Sequence, residues 1–141
     1  MATLLAHLKI KEGREAEYEA IQARLYRETH GREPDVRRYE FFRGPGRGEY
    51  YGLLSYDDFV GFMEHQSSDH HEAFTAPFRE LVEESSIFWI DPIGSASDLT
   101  PTDPQPLPEG ASQLMRDYAK MFAIEVPDWW QQARGRAERK T

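Results

Sequence analysis

Three histidines stand close together in this sequence, His65, His70 and His71, with Asp69 and Glu72 beside them. Imidazole and carboxylate at that density suit two kinds of chemistry. The first is metal binding, for which His65 and His70 must come from two short helices folded toward each other, with Asp69 or Glu72 completing the set. A helical zinc site more often carries its histidines four residues apart on one face, so a metal is disfavoured here. The second is proton transfer, which an imidazole with its ordinary pKa near neutrality performs well. For His65, a general base and a cap on backbone groups at a helix kink stand level as readings. Adjacent helical residues point about 100° apart, so one of His70 and His71 must face outward. His7 lies mid-strand between Leu5 and Lys9 and reads first as a core or interface histidine, with a pocket-lining role as the alternative. The chain has no cysteine, which removes disulfides, thiolate nucleophiles and sulfur-ligated metals together.

The elements that must position these groups follow from periodicity. Residues 3–10 are short and apolar-rich, as a strand buried on both faces would be, and Gly13 breaks the run. From Arg14 to about His30 the period becomes helical, with Tyr18, Ile21 and Leu25 on one stripe; Gly31 and Pro34 end it. Residues 36–43 and 49–56 read as two strands of a hairpin around Gly44-Pro45-Gly46-Arg47-Gly48. That glycine-rich turn is no phosphate cradle, because no helix N-terminus follows it. Asp57 is suited to cap a helix carrying Phe59, Phe62 and Met63, and Asp69 with Glu72 has the form of another helix start. Pro77 is expected to interrupt this second helix before it reaches about Glu84. Residues 86–93 make the fourth strand, with Pro92 marking an edge or an end.

Strand, helix, strand, strand, helix, strand is the split pattern of an α+β, ferredoxin-like βαββαβ fold, an antiparallel sheet with helices on one face. The other face is left bare. Tyr39 and Phe41, or Arg38 and Phe42 in the alternative register, need cover there, so a homodimer packed sheet to sheet is expected. We place this domain at 1–97, a Pro-rich linker at 98–110, and a C-terminal helical extension with a basic tail at 111–141. In the extension Leu114, Tyr118, Met121 and Phe122 share one side of a helix too short to stand alone, which must dock on its own domain or on a partner.

Net charge of −8 repels a phosphate backbone, and the tail residues Arg134, Arg136, Arg139 and Lys140 read as a solvated end, so no nucleic-acid partner is expected. Mean hydropathy is −0.74 and no apolar run could span a bilayer; no membrane partner is expected. The N-terminus reads as a strand without signal-peptide character, which places the protein in the cytoplasm.

The pieces HLKIKEGREAEYEA and RRYEFFRGPGRGEYYGLLSYDDFVGFMEHQSSDHHEAF make residues 5–93 resemble the antibiotic biosynthesis monooxygenase family. Tyr56-Asp57-Asp58, His65 and Ser68-Asp69-His70-His71 occupy the places of its aromatic–acidic cap, its helix-ending His and its later His. The resemblance implies a dimeric α/β barrel and, in several members, oxygenation of phenols or quinols without metal or flavin, by a substrate anion that itself reacts with O2. Other relatives cleave heme or act as isomerases. The heme branch and the anthrone-oxidising type use an Asn near the reacting centre, and this chain has no Asn; Trp89 is the one Trp before the extension, and Ser55 stands where the family often has Glu. Heme is therefore disfavoured along with metal, and no cofactor is expected.

On this basis the expected function is a monooxygenase acting on a quinol or polycyclic, polyketide-like aromatic, with a small aromatic substrate and O2 as its partners. His65 is the expected proton acceptor, His70 and Tyr51 are further catalytic candidates, and Phe41, Tyr39, Phe62, Phe74, Trp89 and His7 are candidates for substrate contact. The alternative is a non-redox ligand-binding protein, or a cyclase or isomerase, on the same scaffold. Arg38 and Arg43 are expected in salt bridges with Glu40 or Glu49.

Overall fold

The computed structural model describes residues 1–139; Lys140 of the basic tail lies outside them. The chain runs β1 (Ala2–Ile10), α1 (Glu15–Arg32), β2 (Val36–Arg43), β3 (Glu49–Tyr56), α2 (Phe59–Gln66), α3 (Asp69–Leu81), β4 (Val82–Trp89), α4 (Gln113–Met121) and α5 (Asp128–Arg139). The four strands form one antiparallel sheet in the order β2-β3-β1-β4. This is the expected ferredoxin-like α+β fold, and the single chain is an open sheet, not a closed barrel.

Register decides which residues share a face. Leu4, Ala6 and Leu8 of β1 lie opposite Leu54, Gly52 and Tyr50 of β3, and Tyr39 and Phe41 of β2 lie opposite Leu54 and Gly52. These side chains meet the helices and build the core with Leu25, Phe59, Phe62 and Met63. The alternating face carries Leu5, His7, Phe42, Tyr51, Leu53 and Phe88, and leaves Phe42 and Phe88 half exposed. Of the two register alternatives, Arg38 and Phe42 are therefore the pair on the bare face. β1 is not buried on both sides: its burial alternates, with His7 and Lys9 exposed.

Several boundaries differ from expectation for local reasons. α2 is capped by Asp58, whose Oδ1 accepts from the Gly61 N–H at 2.8 Å, because Asp57 is drawn into an ion pair with Arg37. Ser68, not Asp69, caps α3, accepting from the His71 N–H. α3 continues through Pro77 to Leu81; the missing N–H removes one helical bond, while Phe74 and Phe78 stack across the position at 5.0 Å. β4 starts directly after α3, four residues before the expected start, because Val82 pairs with Ile10 and Glu84 with Lys9. The polar run Glu83–Ser86 is the exposed edge of the sheet, and Pro92 lies beyond the strand. Arg38 pairs with Asp98 and Arg43 with Glu19, in place of the acids on their own hairpin.

Residues 98–110 contain no helix or strand, yet they are anchored. Thr102 is fully buried; its Oγ1 donates to the Ile90 carbonyl and accepts from the Thr3 N–H. Arg134 of α5 clamps this strap through both oxygens of Asp91, through Asp103 at 2.9 Å and through the Thr102 carbonyl. That basic residue is spent on internal acids. α4 docks on its own domain, against α2, and ends at Met121 with Phe122 as its C-cap; Trp129 and Trp130 lie at the start of α5.

Candidate active site

The turn between α2 and α3 brings the histidines together. Ser67 Oγ donates to the Met63 carbonyl at 2.8 Å and Ser68 Oγ to the His65 carbonyl at 2.6 Å, closing α2 while Ser68 starts α3. His65 is thereby fixed in the last turn of α2, and His70 and His71 in the first turn of α3. Both helix ends face the C-terminus of α1, where Glu33 is the capping residue.

A carboxylate at a helix C-terminus opposes the helix dipole and needs compensation. Glu33 finds it in two imidazoles: its Oε2 lies 2.8 Å from His65 Nδ1 and 2.5 Å from His70 Nε2. His65 is only 1% exposed. With Nδ1–H donating to Glu33, the other ring nitrogen, Nε2, carries the lone pair, so the carboxylate fixes the tautomer that can accept a proton. The His65 ring packs among Tyr39, Tyr56 and Phe62, at 5.1, 5.5 and 6.4 Å between centroids. Glu33 Oε1 and the Tyr56 hydroxyl are buried without hydrogen-bond partners, and burial together with the Glu33 charge pushes the Tyr56 phenol far up.

Glu33, His65 and His70 also place three ligand-type atoms within 4.8 Å of one another. Two ligands held at about 2.0–2.1 Å on one tetrahedral ion stand roughly 3.3 Å apart. The contacts at 2.8 and 2.5 Å are shorter and are those of direct hydrogen bonds.

His65 opens on an apolar cavity of about 250 Å³ between sheet and helices. Its walls include Leu4, Ala6 and Leu8 of β1, with Phe41, Phe62 and Phe74 around them. Gly52 matters here, because a Cβ at that position would stand 2.6 Å from the Phe41 ring. His71 also lines the cavity, its ring 5.0 Å from that of His65. Burial, reinforced by His65 and His70, pushes the His71 pKa down to about 3, so the ring is neutral near pH 7.

The expected site residues therefore divide. His65, Tyr39, Phe41, Phe62 and Phe74 come together around the cavity. His70 does not line it: the ring turns onto Glu33 and Ser68, and His71 is the neighbour that faces inward. Trp89 stands behind Phe62 at 5.4 Å and donates its Nε1–H to the Phe122 carbonyl. Tyr51 and His7 are on the opposite face of the sheet, stacked at 4.5 Å and both within reach of Glu49 Oε1, so neither belongs to this cavity. Glu33, Gln22 and Tyr118 were missed as site residues; Glu33 alone left a signal, an acid at a helix C-terminus where a base is favoured.

A four-stranded antiparallel sheet in the order β2-β3-β1-β4 with helices packed on one face is of the ferredoxin-like α+β class. The family model for antibiotic biosynthesis monooxygenases matches residues 1–77, and the chain belongs to that family. Among solved structures, a candidate family member from Bacteroides thetaiotaomicron matches with a TM-score of 0.65 at 17% identity, over 70% of this chain and 95% of its own. One from Caulobacter crescentus matches with a TM-score of 0.62 at 22% identity, over 65% and 89%. A Shewanella oneidensis protein matches with a TM-score of 0.58 at 25% identity, over 63% and 87%. No curated protein matches the sequence. The matched share of this chain is close to the span of β1 through β4.

Proposed function

We propose that the protein is an oxygenase that works without metal, flavin or heme on a small phenol or quinol held in the cavity. The observation that carries this reading is the Glu33–His65 pair, buried at the wall of an open apolar cavity. His65 Nε2 takes the substrate proton, and Glu33 stabilises the imidazolium that forms, as a carboxylate does in a catalytic triad. The substrate anion passes one electron to O2, and the radical pair joins as a C–O bond. The peroxide recovers the proton from His65, and loss of water with the remaining hydrogen on that carbon leaves a carbonyl. One oxygen atom ends in product and one in water, so no external reductant is needed. Neutral His71 lines the same cavity and adds no charge that would compete with His65 for the substrate proton. The low-dielectric walls strengthen each of these interactions.

Oxygen uptake with a panel of hydroquinones, naphthols and anthrones tests this reading. Consumption that depends on substrate supports it. Turnover that continues unchanged under argon would assign the same proton-moving pair to an isomerase or cyclase instead.

A further inference from the structure

The cavity is not closed by the family fold alone. Tyr118, Met121 and Phe122, all from the end of α4, line it beside His65 and Phe74. They are held in place by bonds to the body of the domain. The Tyr118 hydroxyl donates to Glu72 Oε1 at 2.6 Å, and the Phe122 carbonyl accepts the indole N–H of Trp89 at 3.0 Å. The Phe122 ring meets Phe62 edge-on at 5.4 Å, and Tyr118 meets His71 edge-on at 5.9 Å. Behind them the strap is buried at Thr102 and α5 is clamped by Arg134. The family model matches residues 1–77, so α4 and the wall it makes lie beyond the matched part.

We propose that α4 sets the size of the substrate: the extension makes a cavity that encloses two fused aromatic rings and no more. The inference deepens the reading above and rests on the cavity being the substrate site, though not on the oxygen chemistry. A dry cavity of about 150 Å³ accepts one benzene ring. A space of about 250 Å³ therefore takes roughly one further fused ring. The exposed side chains of Arg79, Ile87 and Met121 rim the mouth, so a third ring stands in water past them. Phe122 is the inner boundary, and shortening it extends the apolar floor under Trp89.

Equilibrium binding of phenol, 2-naphthol and 2-anthrol to the full chain under argon, read from tryptophan fluorescence, tests the proposal without turnover. In the wild-type protein 2-naphthol should bind at least about tenfold tighter than phenol, the gain of burying a second ring, and 2-anthrol no tighter than 2-naphthol. Phe122→Ala should then favour 2-anthrol over 2-naphthol by about tenfold. Met121→Trp, a change at an exposed rim position that leaves the core untouched, should weaken 2-naphthol and spare phenol. Tighter binding of 2-anthrol by the wild-type protein, or ratios unmoved by both variants, would overturn the size limit while leaving the oxygenase reading intact. Binding of none of the three would overturn the cavity as a ligand site, and the size limit with it.

Discussion

Glu33 asks the sharpest question at the level of single residues, because it binds two imidazoles with one oxygen. Glu33→Gln keeps the shape but presents an amide, which no longer stabilises an imidazolium or fixes the accepting tautomer of His65. The analogous loss in a triad costs about 10⁴ in rate, and a fall of 10²–10⁴ in kcat is expected here. Stopped-flow kinetics on the variant would show it. His71 leaves a mark on stability. Its folded pKa of about 3 lies below the unfolded value near 6.5, so below pH 6.5 the unfolded chain binds a proton that the folded one refuses. Its contribution is complete above pH 6.5 and is lost as pH falls toward 3, with a slope approaching about 1.4 kcal/mol per pH unit. Urea melts across that range should show the slope, and His71→Gln should flatten it. The place of His65 at a helix end, beside the other histidines, was legible in the sequence. Glu33 was not, because it lies 32 positions earlier and meets His65 only once α1 and α2 are packed.

At the level of elements, the α2–α3 turn carries the arrangement. Ser68 both caps α3 and holds the His65 carbonyl, so Ser68→Ala should cost about 1–2 kcal/mol in a denaturant titration and loosen His65 and His70 together. The hairpin boundaries could be read directly, since Gly44, Pro45 and Gly46 interrupt two alternating runs. The start of β4 could not: Glu83 to Ser86 are polar enough to continue a helix, and only pairing with β1 makes them a strand. Tyr51 and His7 show the same limit more plainly. A strand of period two has two faces, and nothing local says which one the helices cover.

At the scale of the whole molecule, one sheet face carries Leu5, Phe42, Leu53 and Phe88 without helical cover among the described residues. A second copy is the expected cover, in keeping with the family, and about 800 Å² per partner would make a stable pair. Sedimentation should show a dimer, and Phe42→Glu, at a half-exposed position that leaves the core alone, should yield monomer. Among the described residues no helix is long and apolar enough to cross a membrane. The α+β order and the need for cover followed from periodicity. The docking of α4 into the cavity did not, because an amphipathic helix states that it must pack but not against what.

In the proposed reaction His65, held by Glu33, takes a proton from a substrate that then reacts with oxygen. The most direct measurement is the rate of oxygen uptake by wild type and His65→Ala at saturating substrate, with folding checked by circular dichroism. A fall of about 10²–10⁴ in kcat with the fold retained is the expected result. Equal rates in the two proteins would remove His65 from the proton transfer.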